Sequence, residues 1–145
     1  MTTHQHYKFT FNGTASLTLP DGMCLDHKNR SDCDYSFQLI SPDGRLRLYI
    51  EFFTSQRSAK ELIEELNDPA EHEIIFPPCA IRTPAGSEGY IITYAVGKEC
   101  YEECTLDLGG DVRINFWFLR ERGKPCDLAF YEQVKNRLLE NIKKV

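Results

Sequence analysis

Residues 41–66 read SPDGRLRLYIEFFTSQRSAKELIEEL, a turn, a strand and a helix start in one run. Ser41-Pro42-Asp43-Gly44 has turn composition: proline presets one backbone angle and glycine admits a positive φ. Leu46, Leu48, Ile50 and Phe52 then alternate with Arg45, Arg47, Tyr49 and Glu51, the period-two pattern of a strand with one buried face. From Ser58 the pattern changes. Ser58 followed by Glu61 forms a capping box, and Leu62, Ile63 and Leu66 make a helical stripe behind it.

Towards the N-terminus, Tyr35, Phe37 and Leu39 give a partner strand across the Ser41 turn. Earlier still, Tyr7, Phe9 and Phe11 alternate, Asn12-Gly13 signals a tight hairpin, and Ala15, Leu17 and Leu19 return. Pro20-Asp21-Gly22 closes that ribbon. Met23 to Asp34 shows no periodicity and reads as a polar loop, the longest in the chain.

Towards the C-terminus, Asn67-Asp68-Pro69 stops the helix, and Ala70 to Glu73 is an acidic linker. Ile74, Ile75 and Phe76 are too few to assign before Pro77-Pro78 breaks them, and Ala80-Ile81-Arg82 reads as a short edge segment. Three strands follow. Tyr90, Ile92, Tyr94 and Val96 alternate in the first; Cys100, Cys104, Leu106 and Leu108 share a face of the second; Val112, Ile114, Phe116 and Phe118 define the third. Trp117 and Leu119 make that third strand apolar on both sides, which places it centrally. Pro125 and Asp127 open a last helix, with a stripe at Tyr131, Val134, Leu138, Ile142 and Val145. The order predicts one α+β domain over residues 1–145, an antiparallel sheet flanked by a mid-chain helix and a C-terminal helix.

At 145 residues the chain is long enough for a real core, and 41% hydrophobic and 27% charged residues are ordinary globular values. A net charge of −5 argues against general affinity for nucleic acid or anionic membranes, which depends on lysine and arginine excess. The start, Met1-Thr2-Thr3-His4-Gln5-His6, lacks the basic and apolar runs of a secretory signal, so a complete cytosolic protein is expected. In reducing surroundings the cysteines, Cys24, Cys33, Cys79, Cys100, Cys104 and Cys126, are expected as thiols. Cys100 and Cys104 would be buried, with Cys79 and Cys126 the more exposed.

Leu19-Pro20-Asp21-Gly22 after a short strand, the Asp43-Gly44 hairpin, Ser58-Ala59-Lys60-Glu61-Leu62 at the helix start, the strand beginning at Gly89, the Gly109-Gly110 hairpin and the closing helix together resemble the PsbP-like superfamily. The resemblance spans nearly the whole chain as a pattern of elements. It implies a sheet sandwiched between helices, and a non-enzymatic protein that binds other proteins or assists an assembly. It brings no catalytic motif and no cofactor.

Three constellations bear on chemistry. Cys24, Asp26 and His27, with Cys33 further on, gather thiols and an imidazole; zinc would accept Cys24, His27 and Cys33, with His4, His6 or Asp26 as a fourth ligand, but the paired CxxC spacing is missing. Ala85-Gly86-Ser87-Glu88-Gly89 touches the nucleophile-turn pattern, but a strand follows where that motif needs a helix. Glu61, Glu64, Glu65, Glu71 and Glu73 read as solvated charge or an acidic docking patch. The expectation is a binding module without catalytic residues, resident metal or cofactor, whose partner is another protein. Its docking surfaces would be the 23–34 loop and uncovered aromatics such as Tyr49, Tyr90, Tyr101 and Trp117. Metal binding through the Cys/His loop and a small-ligand pocket between sheet and helix are the alternatives.

Overall fold

The computed structural model describes residues 8–30 and 35–144, without the side chains of residues 8, 27–30 and 35. The chain runs β1 (Lys8–Phe11), β2 (Ala15–Thr18), β3 (Cys24–Arg30), β4 (Tyr35–Ile40), β5 (Leu46–Thr54), α1 (Ala59–Glu64), β6 (Glu73–Arg82), β7 (Glu88–Val96), β8 (Glu99–Asp107), β9 (Val112–Glu121), α2 (Leu128–Glu140) and β10 (Ile142–Lys144). Seven strands form one antiparallel sheet in the order β3-β4-β5-β9-β8-β7-β6, and β1-β2-β10 form a small second sheet. The doubly apolar strand β9 lies at the centre of the large sheet, as its sequence requires.

One face of that sheet is sealed. Leu46, Leu48, Ile50 and Phe52 of β5 and Ile114, Phe116 and Phe118 of β9 are buried there with Phe37, Leu39, Cys104 and Leu106. The small sheet covers the β4–β5 side, with Phe9 against Phe37 at 4.2 Å and Phe11 stacked on Phe52 at 5.5 Å between ring centroids. Helix α2 covers the rest through Tyr131, Val134 and Leu138, each stabilising the fold by about 1.5–3 kcal/mol through burial. Polar contacts also fix the helix: the Tyr131 hydroxyl donates to Glu102 at 2.9 Å, Lys135 pairs with the same carboxylate at 3.2 Å, and Arg137 pairs with Asp21 at 3.1 Å. Burial and the Glu102 charge push the Tyr131 hydroxyl well above its ordinary pKa.

The opposite face carries α1, held against β7 by Ile63 and Leu66 on Ile92, Tyr94 and Tyr90. Its capping box is complete: the Ser58 hydroxyl accepts from the Glu61 amide at 3.2 Å, and Glu61 accepts from the Ser58 amide. The N-terminus is also tied to the sheet. Asp107 accepts from the Ala59 amide at 3.0 Å, and the buried Arg113 holds Asp107 at 2.9 Å while donating to the carbonyls of Arg57, Gly110 and Val112. At the start of β7 the backbone leaves no room for a side chain. A Cβ on Gly89 would stand 2.2 Å from the Thr105 carbonyl oxygen, so the residue is glycine for want of space.

Four expectations are corrected. Residues 24–30 are not loop but strand β3, the outer strand beside β4, with a register shift between Leu25 and His27. Backbone pairing sustains an edge strand without apolar alternation, and the bulge erases what periodicity remains. Glu73–Arg82 is one strand, β6, on the other edge, taking in the last residue of the expected linker; its register shifts at Ile74/Phe76 and Phe76/Cys79 accommodate Pro77-Pro78, which an edge tolerates. Helix α2 ends at Glu140, and Ile142, although buried, belongs to β10 paired with β2 opposite Leu17. The last residue of the expected stripe, Val145, lies outside the described residues. Cys126 is partly buried rather than exposed, and desolvation raises its thiol pKa. Cys100 and Cys104 are buried thiols and Cys79 is exposed, as expected. Among the described residues no helix is long and apolar enough to cross a membrane.

Candidate functional site

The residues that sequence reasoning brought forward do not gather at one place. Cys24 is exposed at the start of β3. Asp26, at the bulge, is paired with Arg47 of β5 at 3.6 Å and so already has a cationic partner. His27 lies in β3, its side chain not described, and Cys33 lies outside the described residues. Among the described residues no group of three or more His, Cys, Asp or Glu side chains is placed to hold a metal ion. Trp117 is on β9, three strands from Cys24 in the sheet order, about 14 Å at the usual strand spacing.

Trp117 does have company of another kind. Pairing of β5 with β9 sets Tyr49 opposite it, and the two rings stack at 5.0 Å and 8°. Tyr94 of β7 and Tyr101 of β8, also opposite each other, repeat the arrangement at 5.0 Å and 8°. Helix α1 is too short to cover β5 and β9, so Tyr49, Trp117 and Leu119 remain only partly buried; Tyr90 and Tyr101 are also partly buried, both packed against the cluster beneath α1. The structure thus has an aromatic platform on the half-open face, with Arg47 and Glu51 at its margin. Apolar alternation on β9 pointed to this surface; the cross-strand partner became visible only with the register.

Beside the platform the polar groups bind one another. Glu103 accepts from the Tyr94 hydroxyl at 2.7 Å and from the Asn115 amide at 3.1 Å, and Asn115 also donates to Thr105 at 2.8 Å. Desolvation raises the Glu103 pKa, against the lowering effect of those two hydrogen bonds and of His72. The His72 ring lies 4.7 Å from Tyr94, and its Nε2 is buried without a partner among the described residues. The Tyr101 hydroxyl donates to Glu99 at 2.5 Å, and that bond pushes its pKa up to about 12. A hollow of about 390 Å³ lies between α1 and the sheet, with Glu51, Glu65, Glu103, Thr105 and Asn115 on its walls beside Phe53, Leu62 and Leu66.

A depression of about 800 Å³ lies at the end of the sheet where the β4–β5 turn, the β7–β8 turn and the β9–α2 loop meet. Arg45, Arg47, Lys98, Arg120 and Lys124 line it, together with Asp43, Glu99, Glu121 and Leu119. Leu119 is also the platform's last apolar residue, two positions along β9 from Trp117, so cleft and platform are continuous. Nothing in the sequence marked this cleft, because its cations come from segments that only the fold brings together.

The chain matches no protein-family model, and no curated protein matches it in sequence.

Proposed function

We propose that this chain is a small cytosolic, non-enzymatic binding or accessory module that docks another protein on the half-open face of its large sheet, within a PsbP-like layering of helix, sheet and helix. The observation that carries the reading is the Tyr49–Trp117 stack, held partly exposed at the middle of that face. Aromatic side chains fixed on a rigid sheet lose little freedom on docking and supply much of the affinity at protein interfaces. Leu119 and Tyr101 extend the apolar surface, and Arg47 and Glu51 give it a charged margin, the anatomy of an interface patch. A net charge of −5 favours a protein partner over nucleic acid or an anionic membrane.

The test is affinity capture from native lysate with the wild type and with Trp117→Ala and Tyr49→Ala variants, each checked for an intact melting transition. The reading expects a stoichiometric partner held by the wild type and lost by folded variants. Equal capture by all three, or no partner at all, rejects it.

One observation favours a second reading. The hollow beneath α1, about 390 Å³, falls in the size range of small-molecule sites. Its carboxylates, Glu51, Glu65 and Glu103, would select a cationic ligand such as an amine. A thermal-shift screen of amines addresses this; a flat response throughout removes it.

A further inference from the structure

We infer that the cleft at the end of the sheet receives an acidic peptide segment of the partner, an inference that rests on the binding reading above and names what is bound. The local charge is opposite to that of the whole molecule. Five cationic side chains line the cleft against three carboxylates, in a chain whose net charge is −5. The three carboxylates are already engaged. Asp43 accepts from the Ser41 hydroxyl at 2.6 Å and the Arg45 amide at 2.9 Å, which holds its pKa below the ordinary aspartate value. Glu99 accepts from Tyr101, and Glu121 is paired with Lys124 at 3.0 Å. Among the cations, Arg45 donates to the Pro125 carbonyl at 3.0 Å and Arg47 has only its long contact to Asp26, while Lys98 and Arg120 have no carboxylate partner among the described residues. The excess positive charge is therefore open to a ligand.

The placement of these cations selects the kind of anion. Arg45 and Arg47 stand at the start of β5, Lys98 in the β7–β8 turn, Arg120 at the end of β9 and Lys124 in the loop before α2. A phosphate is commonly held by converging backbone amides at a glycine-rich turn or helix N-terminus. Cations spread over four chain segments instead match carboxylates spaced along an extended chain, each guanidinium able to grip one in a two-pronged pair. Leu119 connects the cleft to Trp117 and Tyr101, so an apolar residue beside the acidic run would reach the platform. A volume of about 800 Å³ sets the scale at a short segment, within the upper range of ligand sites.

The experiment uses the full chain and a labelled probe peptide rich in Asp and Glu with one central Leu, read by fluorescence anisotropy. Its Asn/Gln counterpart is the neutral control, and inorganic phosphate and a nucleoside triphosphate are the competing anions. The expected result is saturable binding of the acidic peptide that weakens with salt. It should fall at least about tenfold both in the neutral counterpart and in the Lys98→Gln/Arg120→Gln double variant. Lys98 is exposed and Arg120 partly buried, so the urea midpoint of the double variant serves as the folding control. Equal binding of the acidic and neutral peptides overturns the inference, as does full binding by the folded double variant or displacement of the peptide by the nucleotide at matched ionic strength. Partner capture that needs Trp117 but not Lys98 and Arg120 also overturns it while leaving the binding reading in place. Peptide binding by a protein that captures no partner rejects that reading alone.

Discussion

Replacing Arg113 with methionine removes the charge that joins α1 to the sheet while keeping most of the aliphatic stem. Arg113 is a β9 residue on the half-open face, 6% exposed, with Nε 2.9 Å from both Asp107 and the Arg57 carbonyl and Nη1 bonded to Gly110 and Val112. Removing one member of a buried ion pair typically costs about 3–5 kcal/mol. Asp107 keeps 39% of its side-chain exposure, so water compensates part of its loss. The carbonyls at Arg57 and Gly110 lose charged donors, whose hydrogen bonds are each worth roughly 1.5–3 kcal/mol. Taken together these place the Arg113→Met cost at about 2–4 kcal/mol, or roughly 7–13 °C in Tm for a chain of this size. Urea unfolding followed by tryptophan fluorescence measures the cost. Hydrogen exchange at the Ala59 amide reports whether the α1 start is released, since that amide bonds to Asp107. Arg82→Met is the matched control, because its pair with Glu88 is 70% and 72% exposed and should contribute under about 1 kcal/mol. If Arg113→Met proves as mild as Arg82→Met and exchange at Ala59 is unchanged, the network does not anchor α1.

Three further outcomes follow from burial. Glu103 has a folded-state pKa above that of the unfolded chain, so its contribution to stability is present at low pH and is lost as pH rises through the folded value. Glu103→Gln should flatten that decline in a series of urea midpoints across the acidic range, and an unchanged slope would refute the assignment. Gly89→Ala must displace the Thr105 carbonyl or part the strands, a cost of at least about 1–3 kcal/mol by calorimetry, whereas a neutral result would show that the backbone at position 89 does have room for a side chain. In a thiol-labelling time course mapped by mass spectrometry, Cys24 and Cys79 should react first, Cys126 more slowly, and Cys104 only on unfolding, since burial both hides its thiol and raises its pKa; early labelling of Cys104 would contradict its place in the core.

Elements with one sealed face were legible in the sequence. β5 announced itself because Leu46, Leu48, Ile50 and Phe52 all enter the core, and α2 because Tyr131, Val134 and Leu138 do. The capping box of Ser58 and Glu61 was legible because its chemistry is local. The edges were not. β3 and β6 are held by backbone bonds to a single neighbour, and a bulge in each disrupts the two-residue period that would have revealed them. β10 is masked in the sequence because Ile142 falls on the α2 stripe by spacing, although its backbone pairs with β2. Of the candidate site, Trp117 was readable as an apolar residue on the wrong side of a strand. Its partner Tyr49 depends on strand register, and the cleft depends on loops from Arg45 to Lys124 meeting in space, neither of which composition or spacing encodes.

The most direct test of the binding face uses the chain's single tryptophan. Trp117 is partly buried and stacked on Tyr49, so acrylamide should quench it measurably in the free protein. Saturation with a captured partner should shield it and lower the quenching constant, since the partner would lie on that surface. A quenching constant that stays the same in the saturated complex would place the interface elsewhere and contradict the account.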